Sequence, residues 1–147
     1  MEKECSNAVF GRMSYKHGWY KCEKMTIFGK LCSLKISAAA YSGQPITEEQ
    51  EKAYQKFTAA QDKYFAAAGS SLKKYIKDNM NSISEFWPKA RVIEDDKDLP
   101  QVVTPKTLLI KQDGTVILLL ECEWNEEDGI AVELIPELSA GSQDLFL

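Results

Sequence analysis

The order of the sequence patterns constrains the fold of this chain more than any other feature. In residues 9–41 aliphatic and aromatic residues alternate with polar ones, and residues 105–135 contain short apolar runs separated by turn signals; both patterns are typical of strands. Residues 47–87 between them have apolar residues at helical spacing. Strands, then helix, then strands predict a single α+β domain over 1–147. We expect a mainly antiparallel sheet, with an N-terminal meander, C-terminal hairpins, and one long or two shorter helices packed on one face.

The N-terminal strands are predicted at residues 9–15, 18–28 and 30–41, with Gly18 and Gly29 at the joints. In the third segment every second residue is apolar, as expected of a strand with one face on a core. The residues of that face are Cys32, Leu34, Ile36 and Ala38.

The helical segment begins with a recognisable start signal. Thr47 and Gln50 have the spacing of a capping box, and Ile46 precedes them where a hydrophobic staple would lie. Apolar spacing resumes after Gly69, so either one long helix passes through this glycine or two helices meet there. We favour a break at Gly69.

The C-terminal part begins after an irregular acidic connector at residues 92–104. Asp113-Gly114 lies between two apolar runs and predicts a two-residue hairpin turn. A second reversal at residues 125–129 leads to a further strand, with Ile130, Val132 and Leu134 on one face.

Composition excludes several classes of protein. The chain has 147 residues, 44% of them apolar, so it is long enough to build a core without metals or disulfides. No stretch approaches the roughly 18 apolar residues of a membrane span, and no export leader is visible, so we expect a soluble cytoplasmic protein. The cysteines are too scattered for a zinc motif; we expect reduced thiols, no metal and no cofactor. They are Cys5, Cys22, Cys32 and Cys122, of which we expect at least the last three to serve as small apolar residues in strands.

Motifs of familiar enzymes are missing from the sequence. It contains no nucleophile elbow, phosphate loop or dinucleotide fingerprint, so no catalytic residue is assigned. A small hydrolase remains the alternative, with the single histidine, His17, as its base. A pair of carboxylates is the other way to build such an enzyme. The acids considered for that pair are Glu121, Glu123, Glu126 and Glu127.

Charge is strongly segregated along the chain. Residues 1–91 carry 15 Lys and Arg against 9 Asp and Glu, a net charge of +6, whereas residues 92–147 carry 3 against 13, a net charge of −10. An acidic surface attracts a basic protein and repels nucleic acid. We therefore predict a non-enzymatic protein that binds a basic protein partner, with an exposed tryptophan among carboxylates as the contact. The predicted contact residues are Trp124, Glu126, Glu127, Asp128, Glu123 and Glu121.

Two plainer interpretations of the same charges stay open. The acidic loops are often only solvated surface, and the basic helix face could cover the acidic sheet within one molecule. A self-associating structural domain is a further alternative, and the sequence does not indicate the oligomeric state. Calcium is not expected, because neither acidic run has the spacing of a calcium loop.

Three short motifs resemble an uncharacterised family of small bacterial domains, a domain of unknown function. They are a helix start at residues 49–57, a tryptophan followed by an acidic turn and a strand at 122–132, and the Gly141-Ser142-Gln143-Asp144 sequence. The resemblance implies a cytoplasmic bacterial protein of unknown function. Similar domains are suspected of being immunity proteins, in which case the basic partner would be a toxin.

Overall fold

A computed structural model of the protein describes residues 3–40, 44–81, 83, 95–123, 127 and 129–146. They form one eight-stranded sheet and two α-helices, which confirms the predicted α+β class and the mainly antiparallel sheet. The strands are β1 (Lys3–Asn7), β2 (Gly11–Tyr15), β3 (Trp19–Ile27), β4 (Lys30–Ala38), β5 (Val103–Ile110), β6 (Val116–Cys122), β7 (Ile130–Ile135) and β8 (Ser139–Ser142). The helices are α1 (Glu48–Ala59) and α2 (Gln61–Asp78), with short 3-10 helices at Asp96–Gln101 and Gln143–Leu145.

The strands lie in the sheet in chain order, from β1 at one edge to β8 at the other. All neighbours are antiparallel except β4 and β5, which run parallel. Parallel strands need a long crossover connection, and the two helices provide it. The sheet therefore consists of two four-stranded meanders that meet side by side at the parallel pair.

One face of this sheet is apolar from β4 to β7, whereas β3 contributes Lys21 and Glu23 to it. Side chains that are opposite one another in the register form a row across it, and each is fully buried: Ile36, Leu108, Leu118 and Val132. They belong to one hydrophobic cluster with Phe57 of α1 and Leu72 of α2, and the predicted apolar members of β4 and β7 belong to it or pack against it. We call this the core face. The prediction that both helices pack on one face goes beyond this cluster and stays a prediction.

The break between the helices lies at Ala60 and not at Gly69, so the predicted position is wrong. Ala60 leaves the helical conformation with φ −139° and ψ 37°, and its N–H donates to Phe57 at 3.1 Å. Gly69 is a buried residue within α2, next to fully buried Ala68. Burial of this side of α2 in the core outweighs the modest intrinsic cost of a glycine inside a helix.

The capping box at the beginning of α1 is confirmed and has a second role. Thr47 accepts from the Gln50 N–H at 3.2 Å, and Gln50 Oε1 accepts from the Thr47 N–H at 2.8 Å. The amide nitrogen of the same glutamine donates to Ala39 at 2.8 Å and to Ile110 at 3.0 Å. One buried side chain thus joins the helix start to the carboxyl ends of both parallel strands.

The hairpin between β5 and β6 has a three-residue loop and not the predicted two-residue turn. Gly114 donates to Lys111 at 2.9 Å, and Lys111 donates to Thr115 at 2.8 Å, which closes a loop of Gln112, Asp113 and Gly114. Gly114 has φ +92°, as expected where a type I turn ends in a left-handed residue. Asp113 Oδ1 accepts from the Thr115 N–H at 2.9 Å.

Both edge strands lie outside the strand segments that the sequence predicted. β1 is short and polar, and Asn7 turns the chain by accepting from Val9 at 2.8 Å and from Phe10 at 2.9 Å. β8 consists only of small residues. Neither strand has the apolar alternation that marks a half-buried strand; both are short and polar or small in composition, as edge strands often are.

The acidic connector is more ordered than the irregular segment we expected. Residues 96–101 form a 3-10 helix, Leu99 is fully buried, and β5 begins at Val103.

The cysteines are free thiols, but Cys22 is exposed, so its prediction as an apolar packing residue is wrong. No helix in the described part of the chain is long and apolar enough to cross a membrane.

Candidate functional site

Five described acids of the C-terminal part lie on segments that meet at one end of the sheet, whereas Asp113, Glu133 and Glu137 lie elsewhere. β6 ends where β5 begins, since Cys122 pairs with Val103, and Glu123 donates its N–H to Val102 at 3.1 Å. This contact brings the 3-10 helix at Asp96–Gln101 next to the end of β6. We define the acidic end as the five described acids at this place: Asp95, Asp98, Glu121, Glu123 and Glu127.

The carboxylates of the acidic end are largely open to solvent. Glu121, Glu123, Glu127 and Asp95 are exposed, and Asp98 is half-buried. Two shallow cavities share Glu121 in their lining. One, of about 370 Å³, includes Glu123, and the other, of about 270 Å³, includes Glu127. The structure thus places Glu121, Glu123 and Glu127 around two neighbouring cavities at the end of β6.

A glutamine and a glycine hold the strands that carry the acidic end. Gln143 Nε2 donates to Leu120 at 3.0 Å and to Ile130 at 3.4 Å, so it joins the end of β6 to the beginning of β7. Gly129 lies beneath it with φ +68°, and a Cβ there would be 2.6 Å from both Gln143 Nε2 and the Leu120 oxygen. No other residue fits this position without displacement.

The ion pairs between described residues lie away from the acidic end. They are Arg12–Glu4 at 2.6 Å, Lys21–Glu23 at 2.8 Å and Lys52–Glu48 at 3.1 Å, all within the N-terminal part. Lys106 lines a cavity together with Glu121 and Glu127. The interpretation in which the basic helix face covers the acidic sheet stays open.

Three residues of the predicted contact surface lie outside the described residues. They are Trp124, Glu126 and Asp128, which belong to the reversal between β6 and β7. Of the described acids, Glu121 and Glu123 precede that reversal and Glu127 lies within it. The prediction of an aromatic contact at Trp124 stays a prediction.

His17 lies far from the acidic end, in the turn between β2 and β3. It is exposed and has φ +62°, and it lines a cavity of about 560 Å³. The other residues of that lining are Ala39, Ala40, Leu109, Lys111, Gln112 and Asp113. This described lining contains no serine, threonine or cysteine, and Glu121 and Glu123 line other cavities. The described lining thus offers His17 no nucleophile, whereas the described acids considered for a carboxylate pair share the two cavities of the acidic end.

Comparison with protein families gives one match. The model of DUF6985, a domain of unknown function, matches residues 9–147. The chain belongs to the DUF6985 family. No curated protein and no solved structure matches it significantly. The resemblance to a family of unknown function is thereby confirmed, while the bacterial origin and the turn signature that we associated with it stay predictions.

The DUF6985 match covers every element except β1, and it includes both the acidic end and the residues that support it. Sequence reasoning placed Gln143 in a family motif without a role; the structure gives it the role of joining β6 and β7. Lys106 was missed altogether. It is the extra residue of a bulge in β5, and it lines the same cavity as Glu121 and Glu127. Bulges leave no reliable signal in the sequence.

Proposed function

We propose that this DUF6985 domain is a non-enzymatic binding protein that captures a basic protein through its acidic end. The observation that supports this most directly is that carboxylates lie at the end of β6, away from the described ion pairs of the N-terminal part. Glu121, Glu123 and Glu127 line two neighbouring cavities at the end of β6, and the ion pairs between described residues lie elsewhere. Three described lysines, Lys97, Lys106 and Lys111, lie between Asp95 and Glu127 in the sequence, and Lys106 also lines a cavity with Glu121 and Glu127.

Such a surface attracts a basic protein because exposed carboxylates produce a negative potential that extends several ångströms into solvent. At physiological ionic strength such a field acts over about 8 Å, which is enough to orient a basic surface on approach. Complementary charge increases the rate of association and the discrimination against wrong partners. Direct binding of nucleic acid is disfavoured at this surface, because phosphate would be repelled.

An immunity role belongs to the same proposal. In that role the basic partner is a toxin in the same cytoplasm, and the acidic end covers the cationic surface with which the toxin binds its target. The support for this part is the resemblance to similar small domains, together with the carboxylates that the domain presents.

Affinity capture from a lysate of the source cells tests the proposal. The baits are the wild-type domain and a triple variant, Glu121→Gln, Glu123→Gln and Glu127→Gln, with folding of each checked by circular dichroism and self-association by light scattering. We expect the wild type to retain one predominant basic protein and the triple variant to lose it.

A second triple variant controls for net charge. Glu49→Gln, Asp62→Asn and Asp78→Asn remove the same number of charges from exposed positions on the helices. This control is expected to retain the partner. Equal retention by all three baits, or no retention by a folded wild-type bait, contradicts the proposal.

A further inference from the structure

The cavity beside His17 lies at the opposite end of β5 from the acidic end. β5 begins at Val103 in the acidic end and finishes at Ile110, next to the cavity, roughly 23 Å away by the rise of a strand. Its volume of about 560 Å³ is within the usual range of small-molecule sites. A ligand of this cavity is therefore distinct from the protein partner proposed above.

The parallel pair of strands builds this cavity. Its lining includes Ala39 and Ala40, which follow the end of β4, and Lys111 and Gln112, which follow the end of β5. Ligands of α/β sheets commonly bind beyond the carboxyl ends of parallel strands, because loops diverge there. Gln50 fixes both strand ends through its bonds to Ala39 and Ile110.

The turn that carries His17 is pressed against the end of β4. Gly18 approaches so closely that a Cβ there would be 3.3 Å from the Ala38 oxygen and 3.9 Å from Ala39 Cα. Next to it, His17 adopts a left-handed conformation with φ +62°, which is uncommon for a residue with a side chain. Together these features hold the imidazole at the rim of the cavity.

The lining combines an apolar side with hydrogen-bond donors. Leu109, Ala39 and Ala40 supply the apolar surface, and Leu109 is partly exposed. Lys111 donates to the Phe146 oxygen, and an ammonium group has three N–H donors, so this contact does not exhaust it. The one carboxylate in the lining, Asp113, accepts from the Thr115 N–H within its own turn.

From this arrangement we propose that the cavity is a binding site for a small carboxylic acid with an apolar body. The apolar body lies on Leu109 and the two alanines, and the carboxylate accepts hydrogen bonds from Lys111 Nζ and from His17. An apolar surface with a few convergent polar groups is the usual composition of a small-ligand site. The charge of Lys111 selects an anion over the corresponding neutral molecule.

Two-dimensional NMR titration with octanoate tests the site, with 1-octanol as the uncharged probe. We expect saturable shifts confined to the amides around His17, Ala39, Leu109 and Lys111, and weaker binding of octanol. Leu109→Asp places a charge in the apolar side and is expected to abolish binding. Lys111→Gln keeps a donor for Phe146 but removes the charge, and is expected to weaken octanoate binding about tenfold with little effect on octanol.

Leu138→Asp is the matched control, since Leu138 is 49% exposed and lies outside this cavity. It is expected to bind octanoate like the wild type. Folding of each variant is visible in the dispersion of the same spectra. The proposal is overturned if a folded wild type shows no saturable shifts, if the shifts centre on other exposed leucines, or if Leu109→Asp binds as well as Leu138→Asp.

Discussion

Gln50 donates through Nε2 to the carbonyl oxygen of Ile110 at 3.0 Å, and the glutamine is fully buried. The two residues are sixty positions apart, and their contact joins the start of α1 to the end of β5. The same side chain closes the capping box with Thr47 and donates to Ala39, directly after the end of β4. A local helix-start signal therefore also fixes the parallel pair at the centre of the sheet.

Replacing Gln50 should lower the stability of the folded protein. Gln50→Ala removes one half of the capping box and takes a donor from the carbonyl of Ala39. Loss of a cap costs about 1 kcal/mol, and a buried carbonyl without a donor costs about 1–3 kcal/mol more. We expect the free energy of unfolding in urea to fall by about 2–4 kcal/mol. Gln55→Ala, at an exposed position of the same helix, should change it by less than about 0.5 kcal/mol. Equal effects of the two variants would show that the Gln50 contacts contribute little.

Gly129 and Gly11 give a matched pair of glycine variants. Both have positive φ, but a Cβ at Gly129 would be 2.6 Å from the Leu120 oxygen, whereas nothing lies within 4 Å of a Cβ at Gly11. Gly11→Ala should cost only the backbone strain, about 1 kcal/mol. Gly129→Ala adds a steric clash and should cost at least about 2 kcal/mol more. Urea unfolding measures both, and a Gly129→Ala variant as stable as Gly11→Ala would contradict this packing.

Gln143 should act as a positioning residue for the acidic end. Gln143→Ala removes the bonds to Leu120 and Ile130 without changing any charge. We expect a loss of about 1–2 kcal/mol of stability. Hydrogen exchange should become faster at the start of β7 than in β4. Unchanged exchange at Ile130 and Ala131 would show that other contacts hold this end of the sheet.

Alkaline pH should weaken the contact between β3 and α1. Lys21 donates to Phe10 at 2.5 Å, pairs with Glu23 and lies 5.1 Å from the centre of the Tyr54 ring. Burial lowers the pKa of Lys21, but Glu23 and Tyr54 outweigh it and raise that pKa above the ordinary 10.5. Burial also raises the pKa of Tyr54 above 10.0.

A raised pKa in the folded protein means stability that is fully present below the ordinary pKa and is lost as the pH rises through the folded value. The wild type should therefore lose stability above about pH 10, and Lys21→Met should lose less over the same interval, although it is less stable at pH 7. Lys35→Met, which removes a lysine from an exposed position, is the control. Chemical unfolding at several pH values provides the test, and parallel pH profiles for wild type and Lys21→Met would refute this coupling.

The predictions that succeeded rest on local chemistry. The capping box at Thr47 and Gln50 and the apolar face of β4 follow from spacing alone, because neighbouring residues determine them. The helix break predicted at Gly69 was wrong, since burial of α2 is a tertiary effect that no local pattern shows. The loop predicted at Asp113 was too short by one residue, because Asp-Gly also occurs at the end of three-residue loops.

The candidate site was only partly visible in the sequence for a similar reason. The excess of acids after residue 92 was evident, but the meeting of Glu121 and Glu123 with the 3-10 segment at one end of the sheet depends on the pairing of β5 with β6 and on the contact of Glu123 with Val102. The role of Gln143 depends on a contact between residues 23 positions apart. The cavity beside His17 exists because β4 and β5 are parallel, and the sequence pattern did not reveal that orientation.

The most direct test of the account is the salt dependence of partner binding at the acidic end. The dissociation constant for the captured basic partner is measured by titration calorimetry at several salt concentrations, for the wild type and for the Glu121, Glu123 and Glu127 triple variant. The account predicts that wild-type affinity falls steeply with salt, and that the triple variant binds weakly with a shallow dependence, because exposed charges are screened. Equal affinity and equal salt dependence for the two proteins would contradict it.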